Sequence, residues 1–211
     1  MKELQTSETL KIGILLALSG GFMDAYSYLC RGEVFANAQT GNMLLFGVHL
    51  SSGEWQEALR YAFPVLAFAA GIAIAVFVRS GMRDRTLIIL AVVAWIPQSQ
   101  NLLANALTSF ACGMQVESFR KIHGNGIATT MCIGNLRNAT QNLCTYMEKK
   151  EKKNLKKSLL YYGIIVFFVL GAIIGNKVIA LYKTYAILVC SLLLLLTFFM
   201  MFIDTCNKHD R

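Results

Sequence analysis

One acidic side chain lies inside a stretch of sequence that is otherwise almost entirely apolar. Asp24 falls within residues 11–30, which give about 30 Å of helix and therefore one crossing of a bilayer. A carboxylate at lipid depth is energetically costly, and such groups commonly bind a cation or take up a proton. The structural alternative is an acid hydrogen-bonded to Asn42 or Tyr28 where helices pack. We place Asp24 in a predicted substrate path.

Two further segments, residues 34–50 and 127–143, are apolar but short and interrupted by polar residues. Their interruptions contain Gly-Asn steps, which are Thr40-Gly41-Asn42 and Gly134-Asn135. Asn offers both a donor and an acceptor, and Gly lets a backbone carbonyl approach a ligand, so these steps are candidates for a selectivity site. Tight helix crossings held by amide hydrogen bonds are the competing explanation.

Spacing places three residues of the first segment on one helical face. Gly20, Asp24 and Tyr28 recur every four residues, so this face is expected to look into a helix bundle, and Tyr28 joins Asp24 in the predicted path. In the second half of the chain, Gln115 and Glu117 lie in a comparable apolar segment and join the predicted path. For Glu117, an interfacial salt bridge with the basic residues three and four positions later is the simpler explanation.

Composition indicates a membrane protein and argues against several other classes. The 211 residues are 55% apolar and 15% charged, whereas soluble domains carry about 25% charged residues. The formal charge of +8 comes from Lys and Arg between apolar runs, so it predicts loop orientation and not nucleic-acid binding. No two Cys have CxxC spacing, and neither a metal nor a cofactor is predicted. Hydrolase and phosphate-loop motifs are absent, so no enzyme is expected; an intramembrane enzyme using Asp24 is the weaker alternative.

The pattern predicts an all-α transmembrane bundle that forms one membrane domain, residues 1–211. Six segments have the apolar character of spans. They are residues 11–30, 60–78, 87–97, 102–119, 158–179 and 185–203. Residues 51–57 are predicted as a polar loop and residues 148–157 as a Lys-rich loop. Residues 12–18 are expected to belong to the first membrane helix and not to a removed signal peptide.

The same order of segments occurs twice, in residues 11–100 and 101–204. Gly21 matches Gly113 at an offset of 92, and Gly41 matches Gly134 at an offset of 93. If the Gly-Asn segments cross the bilayer, the chain has eight spans and parallel halves. If they re-enter on one side, it has six spans and an inverted repeat. The positive-inside rule favours six spans, because the basic loops and both termini then lie in the cytoplasm.

Four stretches of sequence carry a family resemblance. They are GFMDAYSYLCRG, VFANAQTGNMLLFG, GMQVESFRKIHG and IATTMCIGNL. Together they resemble the YoaK-like family of small bacterial membrane proteins, which have a domain of unknown function. The resemblance covers essentially the whole chain and implies location and architecture, but no activity. The family usually shows Gln-Asn-Ala and Thr-Gly-Asn in the second half, where this chain has Gln115-Val116-Glu117 and Ile133-Gly134-Asn135. This departure argues against a strictly symmetric polar site.

These observations predict a multi-pass protein of the bacterial plasma membrane with both termini in the cytoplasm. The expected function is a transporter or channel for a small polar solute or ion, with Asp24 and Asn42 in the path. A non-transporting membrane scaffold or assembly partner is the alternative. The expected partners are the lipid bilayer, the solute or ion, and further copies of the chain.

Overall fold

The structure, a computed structural model, describes residues 9–78, 82–119, 121–122 and 125–209. Within these ranges the chain forms eight α-helices, two short 3-10 segments and one small β-ladder. The helices are α1 (Leu10–Cys30), α2 (Gln39–Ser51), α3 (Trp55–Phe77), α4 (Met82–Val93), α5 (Asn101–Ser118), α6 (Cys132–Lys149), α7 (Lys152–Tyr182) and α8 (Leu188–His209). The ladder pairs β1 (Lys121–Ile122) with β2 (Asn125–Gly126) in antiparallel register. The predicted all-α class is confirmed.

Three helical stretches are long and apolar enough to cross a bilayer when judged by length and composition alone. They are residues 10–30, 55–77 and 152–201, the last of which comprises α7, a 3-10 segment and part of α8. By contrast, α4 has 12 residues, or about 18 Å of helix, and is shorter than one crossing. Length and composition alone therefore identify fewer spans among the described helices than the six that the sequence predicts.

Glycines bring α1 and α7 into backbone contact. A Cβ atom on Gly21 of α1 would meet the carbonyl oxygen of Phe168 in α7, and one on Gly171 would meet the carbonyl oxygen of Leu18. Gly175 lies against Phe22 one turn further along. Gly171 and Gly175 form a GxxxG step in the sequence, a pattern that suits close helix contact, and the structure shows that contact.

The pair α3 and α5 crosses in the same way. A Cβ atom on Gly71 would meet the carbonyl oxygen of Phe110, and one on Gly113 would meet the carbonyl oxygen of Phe68. Gly21 and Gly113 are the two glycines that the repeat equates. The first helix of each half therefore packs against the third helix of the other half.

Contacts between α1 and α5 give their relative direction. The end of α1 meets the beginning of α5, where the Asn105 amide donates to the carbonyl oxygen of Arg31 at 2.8 Å. Further back along α1, the sulfur of Met23 lies 3.6 Å from that of Cys112, which is further forward along α5. Residue numbers rise along one helix as they fall along the other, so α1 and α5 run in opposite directions.

Two predicted loops are shorter than the sequence indicates. The Lys-rich residues 148–157 are helical except for Lys150 and Glu151, which separate α6 from α7. Lys is a good helix former, and its exposed side chain stays solvated, so this run suits a helix start as well as a loop. The predicted polar loop 51–57 is likewise reduced to residues 52–54, because α3 begins at Trp55.

Arg31 follows α1 and is completely buried, which the sequence does not reveal. Its Nε donates to the hydroxyl of Tyr26 at 2.7 Å, and its two terminal nitrogens donate to the carbonyl oxygens of Ile96 and Val93 at 2.8 and 2.9 Å. A fourth bond reaches Asn101 at 3.3 Å. Carbonyls at the end of a helix carry partial negative charge, so the end of α4 favours this guanidinium. Arg31 thereby joins the ends of α1 and α4 to the beginning of α5.

Candidate functional site

The carboxylate of Asp24 lies on the face of α1 that its spacing predicts. Gly20 is buried, Asp24 is partly exposed, and Tyr28 exposes 41% of its surface. The face therefore runs from the interior of the bundle to an open edge. The polar side chains of Asp24 and Tyr28 on this face are therefore accessible.

The irregular residues 31–38 fold back along α1 and hold Asp24. The backbone N–H of Asn37 donates to Asp24 Oδ1 at 2.7 Å, and the Asn37 amide donates to the carbonyl oxygen of Gly20 at 3.1 Å. The hydroxyl oxygen of Ser27 accepts a hydrogen bond from the backbone N–H of Ala36 at 3.0 Å. Asp24 is therefore held by the backbone of the returning segment, and not by Asn42 or Tyr28 as the structural alternative expected.

Asn42, near the start of α2, forms hydrogen bonds back to this returning segment. Its Oδ1 accepts the N–H of Phe35 at 3.0 Å, and its Nδ2 donates to the carbonyl oxygen of Phe35 at 2.7 Å and to Gln39 Oε1 at 2.8 Å. Asn42 is 0% exposed and Gly41 lies against the ring of Phe35. The Gly-Asn step thus shapes the backbone behind the site, and neither residue lines the open space described next.

The second Gly-Asn step makes one of the same bonds. Asn135 Nδ2 donates to the carbonyl oxygen of Ala128 at 2.7 Å, seven residues earlier, as Asn42 does to Phe35. A Cβ atom on Gly134 would meet nothing within 4 Å. The two Asn residues therefore perform the same local task, which is to brace irregular backbone before a helix start.

An open cavity of about 830 Å³ lies beside Asp24. It is bordered by α1, by residues 35–43, by the chain before and at the start of α6, and by α7. The side chains that matter for its chemistry are Asp24, Tyr28, Phe35, Asn37, Gln39, Thr40, Thr130 and Phe168. Three members of the predicted path, Asp24, Tyr28 and Thr40, are thus brought together here.

Two helix starts border the cavity without side-chain caps. The residues before α2 and α6 are Ala38 and Met131, and neither supplies a capping side chain. Uncapped helix starts present N–H groups and partial positive charge. Thr130, next to one of them, is 1% exposed and its hydroxyl has no hydrogen-bond partner; the carbonyl oxygen of the Asn37 amide has none either. Unpaired polar groups therefore remain at the cavity wall.

Gln115 and Glu117 lie elsewhere. Gln115 is 2% exposed, both of its amide atoms lack a partner, and it lines a separate space of about 10 Å³ with Ser118 and Thr197. Glu117 lies one residue before the end of α5 and is half-buried. The structure does not join these two residues to the cavity beside Asp24.

Sequence reasoning missed Asn37, Gln39 and Thr130 as members of the site. A signal was present, because Asn37 and Thr130 occupy equivalent positions at the offset of 93 that relates Asn42 to Asn135. Both also contact Gly20: Asn37 through a hydrogen bond, and Thr130 through packing against the glycine. In the described part of the chain, no group of three or more His, Cys, Asp or Glu is placed to hold a metal ion.

Comparisons with known proteins agree with this architecture. Residues 12–200 match the family described as "Protein of unknown function (DUF1275)". The chain is also similar to the UPF0700 transmembrane protein YoaK of Bacillus subtilis (strain 168), with 26% identity over 183 residues that cover 76% of this chain and 79% of that protein. No solved structure matches the chain. The resemblance to the YoaK-like family is therefore confirmed, and the chain is a transmembrane protein that belongs to the DUF1275 family.

Proposed function

We propose that this protein is a transporter or channel that moves a small polar solute or ion through the cavity beside Asp24. The observation that carries the proposal is a partly exposed carboxylate, two-thirds along α1, held by irregular backbone inside a cavity that two helix starts border. Non-helical backbone at membrane depth is tolerated where it is buried in protein or lines a wet cavity. Broken helices that meet at such a site are a recurring plan of transporters.

The proposal includes six crossings and two segments that enter and leave on one side. Support comes from the return of the chain after α1: Asn37 bonds back to Gly20, and α2 then starts beside the middle of α1. The guanidinium of Arg60, early in α3, bonds the carbonyl oxygen of Gly32 just after α1. The start of α3 therefore lies level with the end of α1, as expected if α2 leaves on the side where α1 ends.

The opposed directions of α1 and α5 favour an inverted repeat over a parallel one. In the six-span arrangement the Lys-rich region and both termini share one side, which we assign to the cytoplasm of a bacterium. The positive-inside rule also counts the basic residues Arg79 and Arg120 on this side. Both lie outside the described residues. No catalytic activity is part of the proposal.

Cysteine labelling tests the arrangement. Single cysteines at Ser52, Ser80 and Lys150 are introduced after replacement of the six native cysteines, and intact cells are treated with a membrane-impermeant maleimide. Six crossings place Ser52 on one side and the other two positions on the opposite side. Labelling of Ser52 and Lys150 from the same side would instead indicate eight crossings and parallel halves.

Flux measurements test the activity. Proteoliposomes are screened with amines, amino acids, carboxylates and inorganic ions, and protein-dependent uptake is compared with that of empty vesicles. We expect Asp24→Asn to reduce uptake of the transported compound by about tenfold or more, since the carboxylate faces the path. Glu148→Gln, which removes an exposed acid from α6, is the matched control and retains uptake. Absence of uptake for every compound would favour the scaffold alternative. Full uptake by Asp24→Asn would instead contradict the assignment of the path to Asp24.

A further inference from the structure

We propose that the cavity beside Asp24 selects small organic cations, meaning protonated alkylamines or quaternary ammonium compounds. This inference rests on the proposed function, because it assigns a substrate class to the same site. Three properties of the cavity support it: the sign of its charge, its aromatic wall, and its unpaired hydrogen-bond acceptors.

The formal charge of the cavity is negative. Asp24 is a lining residue, and none of the lining residues in the described part of the chain is Lys, Arg or His. The nearest guanidinium in sequence, that of Arg31, already makes four hydrogen bonds, to Tyr26, to two carbonyl oxygens at and just after the end of α4, and to the first residue of α5. A ligand with positive charge therefore meets a carboxylate without a competing basic side chain.

Three aromatic residues contribute to the remaining wall. Tyr28 and Phe35 stack with ring centroids 5.1 Å apart and an angle of 25° between their planes, and Phe168 of α7 also lines the cavity. The negative faces of aromatic rings attract organic cations, and pockets of this kind recognise alkylated ammonium groups. Inorganic cations such as Ca²⁺ instead require six to eight oxygen ligands, which a largely apolar wall of this size does not supply.

Hydrogen-bond acceptors without a partner also lie in the wall, buried just behind its surface. The side-chain oxygen of Asn37 and the hydroxyl of Thr130 have no partner, and both residues line the cavity while being only 1% exposed. The start of α6 favours an anion instead. At the start of α2, the Asp24 carboxylate already supplies the negative charge, because it accepts the N–H of Asn37.

The test compares three ligands of similar shape and different charge. Choline, 3,3-dimethylbutan-1-ol and 3,3-dimethylbutanoate each end in three methyl groups on one tetrahedral atom, and they are cationic, neutral and anionic. Binding to the full-length protein is measured by titration calorimetry in dodecyl maltoside. We expect choline to bind about tenfold or more tightly than the other two, and Asp24→Asn to abolish this preference. Glu148→Gln retains the preference.

A second variant separates the aromatic contribution from charge. Phe35→Leu keeps the backbone bonds with Asn42 and removes one ring, so choline binding weakens by about 5- to 30-fold. Phe77→Leu removes an exposed ring outside the cavity and leaves choline binding unchanged. Equal loss in both variants would overturn the role of the aromatic wall.

Three outcomes overturn the assignment: tighter binding of the anion or the neutral compound, unchanged choline binding by Asp24→Asn, or no binding of any of the three. The assignment and the transport proposal fail separately. Binding of choline without uptake in proteoliposomes supports the ligand class and contradicts transport. Uptake of an anion that depends on Asp24 supports transport and contradicts the ligand class.

A final arm identifies the source of the cation. Choline binding is repeated in phosphatidylglycerol vesicles with and without phosphatidylcholine. Unchanged affinity supports a free amine as the ligand, whereas competition by phosphatidylcholine supports a lipid headgroup with the same ammonium chemistry. Either result upholds selection for an organic cation.

Discussion

Replacing Arg31 by Met tests whether the buried guanidinium holds the helix ends together. The substitution keeps an unbranched side chain and removes all four hydrogen bonds to Tyr26, Val93, Ile96 and Asn101. Interhelical hydrogen bonds in membrane proteins average about 0.6 kcal/mol, which gives a lower bound of about 2.4 kcal/mol for four. Leaving a buried acceptor without its donor costs about 1–3 kcal/mol, and removing the buried charge offsets part of this cost, so we expect Arg31→Met to lower the unfolding free energy by about 2.5–5 kcal/mol.

The assay is SDS titration of the protein in mixed micelles, with helix content followed by circular dichroism. Arg137→Met is the control, because Arg137 is exposed on α6 and its replacement is expected to change stability by less than about 0.5 kcal/mol. Arg31→Lys keeps the charge but not the planar donor fork, so an intermediate loss is expected. If Arg31→Met is as stable as Arg137→Met, the proposed joining role of Arg31 is wrong.

Two more pairs of substitutions use the same titration. Gly21→Ala forces a methyl group onto the carbonyl of Phe168 and should cost about 2–3 kcal/mol, whereas Gly47→Ala in α2 meets nothing within 4 Å and should be neutral or stabilising by up to about 1 kcal/mol. Asn42→Ala breaks three hydrogen bonds and should cost about 2 kcal/mol, whereas Asn135→Ala breaks one and should cost about 1 kcal/mol. A larger loss of stability for Gly47→Ala than for Gly21→Ala, or for Asn135→Ala than for Asn42→Ala, would contradict these packing and bonding arguments. The labelling of Ser52 and the uptake by Asp24→Asn complete the set, with the outcomes given above.

Local features of the structure were predictable from the sequence because they depend on spacing along one helix. The placement of Gly20, Asp24 and Tyr28 on one face follows from the helical period. The contact of Gly171 with α1 follows from a small-residue pattern, since only small side chains let helix backbones meet.

Long-range features were not predictable in this way. The sequence shows Arg31 as the polar end of a span, and only the fold brings Val93 and Ile96 close enough to bury it. Similarly, Asn37 reaches Asp24 because the chain reverses after α1, and no periodic pattern encodes that reversal. Residue type alone groups Gln115 of the second half with Asp24 of the first, whereas the structure places Gln115 away from the cavity beside Asp24.

The reciprocal pairing of α1 with α7 has a consequence for how the protein is made. The end of α1 at Cys30 precedes the start of α7 at Lys152 by 122 residues. At about 5–20 residues per second, a ribosome adds these residues in about 6–24 s. During that interval the Gly21 surface of α1 has no permanent neighbour, and lipid or the insertion machinery must cover it. Assembly of the bundle is therefore completed near the end of synthesis, when the C-terminal half supplies the missing helix.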